Sequence, residues 1–533
     1  FTFMRNFYFL PTVVTVFLYT FSNSLLFSQD LQWQRSLGGK QSEYLFDALP
    51  TPDDGFILAG SSVSEVSGTK QEENRGSLDY FLWKMNAQGH EEWQRSLGGN
   101  QSDFLYSINL TRDGGHILGG SSYSGISGDK KDSCRGLDDY WIVKLNAVGQ
   151  EEWQKTLGGS GSDQLLSIQQ TTDLGYIIGG SSDSPVSFEK TEPNRGSMDF
   201  WIIKLDKLGK TLWQKTLGGS HYDLLRSIKE TKDGYILAGY SNSPKNEDKS
   251  EDVKGEGDYW LVKLDTNGKV VWEKTIGGEK NDELMDLILT EDGGFLLAGN
   301  SNSPQGGMKT VSKGEGSDIW LVKTDELGEI LWQQTLDIGK ADQVSKVVED
   351  QQGSFLVAGN TQSMSQEGEI ESDYVAVKVS SKGEILWKKR LGGDKNDRLK
   401  SAIETRSGSL VLAGTSDSGK ARDKTVEGIG QSDFWIVKLK EGNSKKEDVR
   451  DKRVEVYPNP TERFVNVILH EELKGHENIH VYDITGKLLQ QNKVKYSTTP
   501  IDLMGYSPGV YVLSVLLPDG NTETVKILKQ GNN

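Results

Sequence analysis

At 533 residues the chain has room for more than one domain of ~150 residues, and its 61 Gly with 13 Trp suit short strands and tight turns rather than disorder. An excess of 77 Asp+Glu over 60 Lys+Arg gives a net charge of −17, which argues against nucleic acid or an anionic membrane as partner. The single cysteine, Cys134, rules out an intrachain disulfide framework or a CxxC site, and the six histidines show no zinc-ligand spacing.

In chain order, Met4 and Arg5 precede an apolar run from Phe7 to Phe27, closed by Ser28 and Gln29. Residues 1–29 therefore read as a signal peptide, with a retained membrane anchor as the alternative. No cysteine follows the run, so no N-terminal lipid anchor is expected.

From there to about residue 440 one unit repeats. Trp33, Trp93, Trp153, Trp213, Trp272, Trp332 and Trp387 stand 55–60 residues apart. Ten residues after each comes an acid: Glu43, Asp103, Asp163, Asp223, Asp282, Asp342 and Asp397. A second motif, typified by Asp139-Tyr140-Trp141-Ile142-Val143-Lys144-Leu145, also occurs seven times, always with Lys five residues after Asp. Each unit offers four strand segments, several joined by Asp-Gly turns such as Asp113-Gly114, and none has a helical period. Four strands per repeat and seven repeats predict an all-β, seven-bladed β-propeller over residues 30–440. The array begins on a lone fourth strand at Trp33 and ends on a third strand at Asp433, so the first strand is expected to complete the last blade and hide an edge.

Large aromatics at fixed strand positions are expected to pack blade against blade. The acid in every repeat is expected to accept backbone N–H bonds, and the Asp-x4-Lys pair to make polar contacts at strand entry. Function is sought where symmetry breaks. The distance from second-strand Gly to third-strand Asp is 19 residues in six repeats but 14 in the sixth, from Gly359 to Asp373. There Asp337-Ile338-Gly339 replaces Gly-Gly, and Gln334 replaces the basic residue after Trp. Gln334, Asp337 and Lys340 thus mark a candidate ligand rim. The long loops, rich in Ser, Asp and Glu, are expected to be solvated; they offer oxygen ligands for calcium but lack EF-hand spacing. No catalytic, cofactor or metal residue is singled out, and no GxSxG, P-loop or dinucleotide motif occurs. The Asp265-x-x-Gly268-x-x-x-Trp272 hairpin resembles the tryptophan motif of quinoprotein dehydrogenases, a likeness confined to the hairpin.

Residues 441–453 read as a charged linker, and residues 454–533 as a small antiparallel β-sandwich with an Ig-like pattern of alternating strands. Tyr457-Pro458-Asn459-Pro460, Val481-Tyr482-Asp483-Ile484-Thr485-Gly486-Lys487, Pro508-Gly509-Val510-Tyr511 and Lys526-Ile527-Leu528-Lys529 resemble the motifs of the type IX secretion C-terminal sorting domain. The resemblance implies Sec export, recognition of this domain by the type IX machinery, and cargo released or attached at the outer-membrane surface. It makes Tyr457, Pro458, Asn459, Pro460, Asp483, Gly486, Gly509, Tyr511, Lys526 and Lys529 the expected sorting-signal residues. The tail Gln530-Gly531-Asn532-Asn533 extends past the usual end of that family. The repeats themselves resemble propeller repeats of such secreted cargo. The cargo is expected to bind a polysaccharide or a protein, as in adhesion; a glycan hydrolase or lyase, or a structural surface component, are the alternatives.

Overall fold

The computed structural model describes residues 30–440 and 452–531, apart from 247, 312, 313, 315, 365–367 and 369. The expected signal peptide (1–29) and most of the expected linker (441–451) lie outside the described residues.

Seven four-stranded antiparallel sheets follow one another around a ring, their innermost strands adjacent from sheet to sheet. Blade one consists of Glu43–Pro50, Phe56–Ser62, Asp79–Met85 and Glu91–Leu97, from the axis outward. Blade seven consists of Asp397–Glu404, Leu410–Ser416 and Asp433–Lys440, completed by Asp30–Leu37 from the other end of the described chain. The closing strand is held by more than its ladder. The Gln34 side chain donates to Asp423 O (2.7 Å) and accepts from Thr425 N (3.1 Å) and Trp435 Nε1 (3.2 Å).

The burial pattern follows from this geometry. The middle two strands have a neighbouring blade on both faces, so all seven residues of Asp139–Leu145 are buried, with Tyr140–Val143 an unbroken apolar run between Asp139 and Lys144. The outermost strand, such as Glu151–Leu157, is half solvated. Each inner strand carries a bulge after its third residue, as between Leu45 and Asp47. The bulge presses a carbonyl onto the facing second-strand glycine: a Cβ on Gly120 would fall 1.8 Å from Phe104 O. That contact explains a glycine at this position in every repeat.

Adjacent blades are joined by the repeated aromatics. Tyr140 Oη donates to Trp201 O of the next blade (3.0 Å), with the two rings 4.8 Å apart. The fourth-strand Trp covers the turn glycine of the following blade; a Cβ on Gly89 would meet the Trp33 ring at 2.7 Å. Trp83 departs from the pattern. It lies two residues beyond the position of Trp141, which in blade one is Phe81, and packs in the same core cluster as Phe81 and Phe434.

The Asp and Lys of the Asp-x4-Lys motif sit at opposite ends of a strand and make separate polar contacts. Arg75 N donates to Asp79 Oδ2 (2.5 Å) at strand entry; Lys84 binds Asp53 in the first turn of its own blade (2.8 Å), and Lys204 binds Asp173 likewise (2.9 Å). One polar expectation is corrected. The long loops are not merely solvated: each of Lys130, Lys190, Lys249 and Lys424 folds back, buried, over a third-strand Trp ring at 5.2–6.0 Å.

The C-terminal unit is a sandwich. A three-stranded sheet (Val454–Tyr457, Phe464–Leu469, Thr498–Asp502) and a four-stranded sheet (Leu488–Lys493, Asn478–Asp483, Gly509–Leu516, Thr522–Lys529) share one core containing Val465, Val467, Ile479, Val481, Leu513 and Val515. It docks on the propeller face that carries the inner-strand turns. Ser497 Oγ donates to Asp53 (2.6 Å), Ser497 N to Glu92 (2.8 Å), and Asn466 Nδ2 to Asp113 O (2.7 Å); Arg406 pairs with Glu455 (2.6 Å). The docking explains why the Asp53 side chain is fully covered, whereas its counterpart Asp173 is 56% exposed. The Lys84 charge and these hydrogen bonds offset the desolvation and hold the Asp53 carboxyl well below its usual range.

Candidate functional site

The repeat places an acid at the start of each inner strand and another at the start of each third strand, and the ring brings the two together across every blade junction. Asp79 of blade one faces Asp103 of blade two, and Asp258 faces Asp282. One oxygen of each is capped by backbone, as expected: Gly99 N donates to Asp103 Oδ2 (2.7 Å) and Gly278 N to Asp282 Oδ2 (2.6 Å). The other oxygens, Oδ1 of Asp79, Asp103, Asp258 and Asp282, are buried and have no hydrogen-bond partner. Burial, reinforced by the facing acid, pushes the Asp79 carboxyl up to about 7 and that of Asp258 up to about 6.

Of the rim residues, Gln334 is half-buried, with its amide turned to Thr335 O (3.0 Å); Lys340 is exposed and held through its backbone to Gln362 O (3.0 Å). Asp337 alone joins a cluster. Its carboxylate lies within 4.8 Å of those of Asp318 and Asp342, at the junction of blades five and six. Burial, then the charges of Asp337 and Asp342, push the Asp318 carboxyl up. In the sixth repeat the strands Phe355–Met364 and Ile370–Val379 pair along their whole length.

The inner strands enclose a second feature, an axial cavity of about 330 Å³. The fifth residue of several inner strands stitches the wall: Ser401 Oγ accepts from Ala48 N (3.1 Å), Ser167 Oγ from Ile228 N (3.1 Å), and Asp286 Oδ2 from Val347 N (3.0 Å). The bulged fourth residue of each inner strand lines the cavity and differs from blade to blade. Blades one and two contribute Phe46 and Tyr106, in edge contact at 4.9 Å; Phe104 stacks on Tyr106 at 6.0 Å, and Tyr44 is exposed above them. Blades four and seven contribute Arg226 and Lys400, joined by Lys229 of blade four and Lys346 of blade six. Arg226 pairs with Glu283 (2.7 Å) and Lys346 with Asp47 (3.3 Å). Burial pushes the ammonium groups of Lys229 and Lys400 down, aided by Lys346 and Arg398 respectively. One wall is aromatic and the other cationic, in a chain of net charge −17.

Sequence reasoning missed this cavity because it followed loop lengths. The signal was present at the fourth inner-strand position, which reads Phe46, Tyr106, Leu166, Arg226, Met285, Ser345 and Lys400 across the repeats.

The expected sorting residues fall in both sheets of the sandwich and in its turns. Tyr457-Pro458 and Asn459-Pro460 both have cis peptide bonds, and Asn459 bridges to the last strand through Lys526 O (2.9 Å) and Leu528 N (2.9 Å). Asp483 Oδ1 accepts from Thr485 N and Lys487 N, closing the turn at Gly486. Tyr511 Oη donates to Ser507 O (2.6 Å) beside Gly509, and Lys529 is buried at the end of the last strand.

Comparisons with known proteins bear on the two units unequally. The chain is 21% identical over 315 residues, 54% of its length, to the regulatory protein FlaEY of Caulobacter vibrioides; it spans about a third of that relative. Among solved structures it resembles the extracellular region of plexin A4 (TM-score 0.41, 10% identity, 92% of this chain and 67% of that one). It also resembles puromycin hydrolase (0.42, 10%, 92% and 59%). A third is PorZ, a surface component of the type IX secretion system of Porphyromonas gingivalis (0.23, 12%, 94% and 86%). At these TM-scores none of the three bears on function. The C-terminal unit is different: residues 455–530 match the family described as the secretion system C-terminal sorting domain, and the chain is exported by type IX secretion to the cell surface or the extracellular space.

Proposed function

We propose that the exported propeller is a binding module that captures an acidic polysaccharide through its axial cavity, in the manner of an adhesin, with the sorting domain acting as its export address. The observation that carries this reading is the pairing of an aromatic wall (Phe46 and Tyr106, with Phe104 stacked on Tyr106) with the cations Lys229 and Lys400. Aromatic faces suit the apolar faces of sugar rings, and partly desolvated ammonium groups favour a carboxylate or sulfate. The cavity acids Asp47 and Asp286 are engaged with Lys346 and with Val347 N, which favours capture over acid–base catalysis. The hydrogen bonds to the sorting domain lie on the face of the inner-strand turns, and Tyr44 and Phe104 mark the opposite mouth. In this reading the module comprises residues 30–440 and the address residues 454–533, with attachment at the outer-membrane surface through the sorting pathway. A polysaccharide array probed with the full chain tests it. Binding concentrated on uronate-bearing or sulfated chains supports the proposal; equal binding to neutral chains, or none, contradicts it.

A further inference from the structure

At the other six junctions the acid of the inner strand is held in a common way. A backbone N–H caps it, and a serine hydroxyl from the end of the second strand adds a bond, as Ser124 does to Asp103 (3.0 Å), Ser303 to Asp282 (2.8 Å) and Ser418 to Asp397 (3.0 Å). Five residues before the acid stands a glycine. It lies so close to the third-strand carboxylate of the preceding blade that a Cβ would fall 1.8–2.6 Å from its Oδ1.

The junction of blades five and six keeps the backbone cap, from Ile338 N to Asp342 Oδ2 (2.7 Å), and changes the rest. Asp337 replaces the glycine, adding a third carboxylate to Asp318 and Asp342. The hydroxyl donors are lost to Asp342. Ser363, the counterpart of Ser303, is taken by Arg390 Nη2 (2.6 Å). Thr361, fully buried and in register opposite Asp342, has an Oγ1 with no hydrogen-bond partner. In blade one the equivalent hydroxyl, Ser62, reaches the acid Glu43 at 2.9 Å; Thr361 Oγ1 makes no such bond and lies against Gly339, whose N–H caps Asp342 (3.2 Å). Asp318 Oδ1 is likewise buried and unpartnered. The nearby Lys309 is occupied by Ser301 Oγ (2.6 Å) and Ser303 O (3.0 Å). The junction thus has one negative charge more than its sisters, and Asp342 has exchanged their serine hydroxyl for a second backbone donor, Gly339 N (3.2 Å). Three carboxylates at this spacing repel one another strongly unless a cation lies among them.

We propose that the Asp318–Asp337–Asp342 junction binds a divalent cation, with the Thr361 hydroxyl as a further ligand. An all-oxygen donor set of this kind selects a hard ion, Ca²⁺ before Zn²⁺ or Cu²⁺. The site lies on the long-loop side of the ring, so the ion would tie blades five and six together where the loop is shortest.

The experiment is calorimetric titration of EDTA-treated full-length protein with CaCl₂ and with MgCl₂, alongside thermal melts. One Ca²⁺ site is expected, with Kd on the order of 10⁻⁴–10⁻³ M as for extracellular modules, together with a rise in melting temperature that saturates with it. Asp337→Gly restores the residue of the six sister junctions. It should lose at least about tenfold in affinity while melting no lower than wild type in EDTA. If that variant fails to fold, Asp337→Asn serves in its place and should show the same loss. Absence of binding heat and of any melting shift at about 10 mM Ca²⁺, well above that Kd range, overturns the proposal. So does a folded Asp337→Gly or Asp337→Asn that binds as tightly as wild type.

Discussion

Replacing Asp258 by Asn probes the paired carboxylates at the blade junctions. Asp258 is fully buried, Lys254 N caps its Oδ2, and its Oδ1 has no partner. Its carboxyl is pushed from 3.8 up to about 6, chiefly by burial and then by Asp282. A carboxyl that holds its proton more tightly in the folded than in the unfolded chain favours folding only while that proton is bound. Its contribution is neutral below about pH 4, where both states are protonated. Stability is then lost as pH rises from about 4 to 6 and stays lost above. The shift of about two pH units corresponds to about 3 kcal/mol at neutral pH. Asn keeps an acceptor for Lys254 N, offers an amide N–H toward Asp282 and cannot ionise. Asp258→Asn should therefore match wild type near pH 4 and exceed it by up to about 3 kcal/mol at pH 7.5. Urea denaturation of both proteins at the two pH values, followed by tryptophan fluorescence, reads the difference. Equal destabilisation of the variant at both pH values would mean that the ionised carboxylate is needed, and would refute the reasoning.

Two further outcomes follow from the ring. Trp201 is fully buried, packs with its ring centre 4.8 Å from that of Tyr140 of the preceding blade and donates to Gln214 (3.0 Å), so Trp201→Ala should cost about 3–5 kcal/mol in urea denaturation. A loss below about 1 kcal/mol would show that the junction repacks freely. Deleting residues 30–37 should expose the edge of Asp433–Lys440, lowering the melting temperature and promoting association seen by light scattering. An unchanged transition would mean that the closing strand contributes nothing.

Much of the fold was legible because it is periodic. Trp, acid and Lys recur at fixed spacing, and the complementary ends at Trp33 and Asp433 foretold closure. The partners of the polar residues were not legible, because a repeat gives positions within a blade but not what faces them across a junction. Thus the spacing did not name Asp53 as the partner of Lys84, and the loop lysines found Trp rings rather than water. Asp337 was noticed as a break in symmetry, yet its meaning depends on Asp318 from the neighbouring blade and on Thr361, which sequence spacing did not connect to it. The cavity wall was overlooked for the opposite reason: variation at the bulged position resembles drift until the ring places Tyr106 and Lys400 around one axis.

The most direct test of the account is the affinity of the full-length protein for an acidic polysaccharide before and after Tyr106→Ala and Lys400→Ala are combined. Binding that falls by about tenfold or more, with an unchanged melting temperature and a steep salt dependence in the wild type, is the predicted result. Undiminished binding by the folded double variant would contradict the claim that the axial cavity is the site of capture.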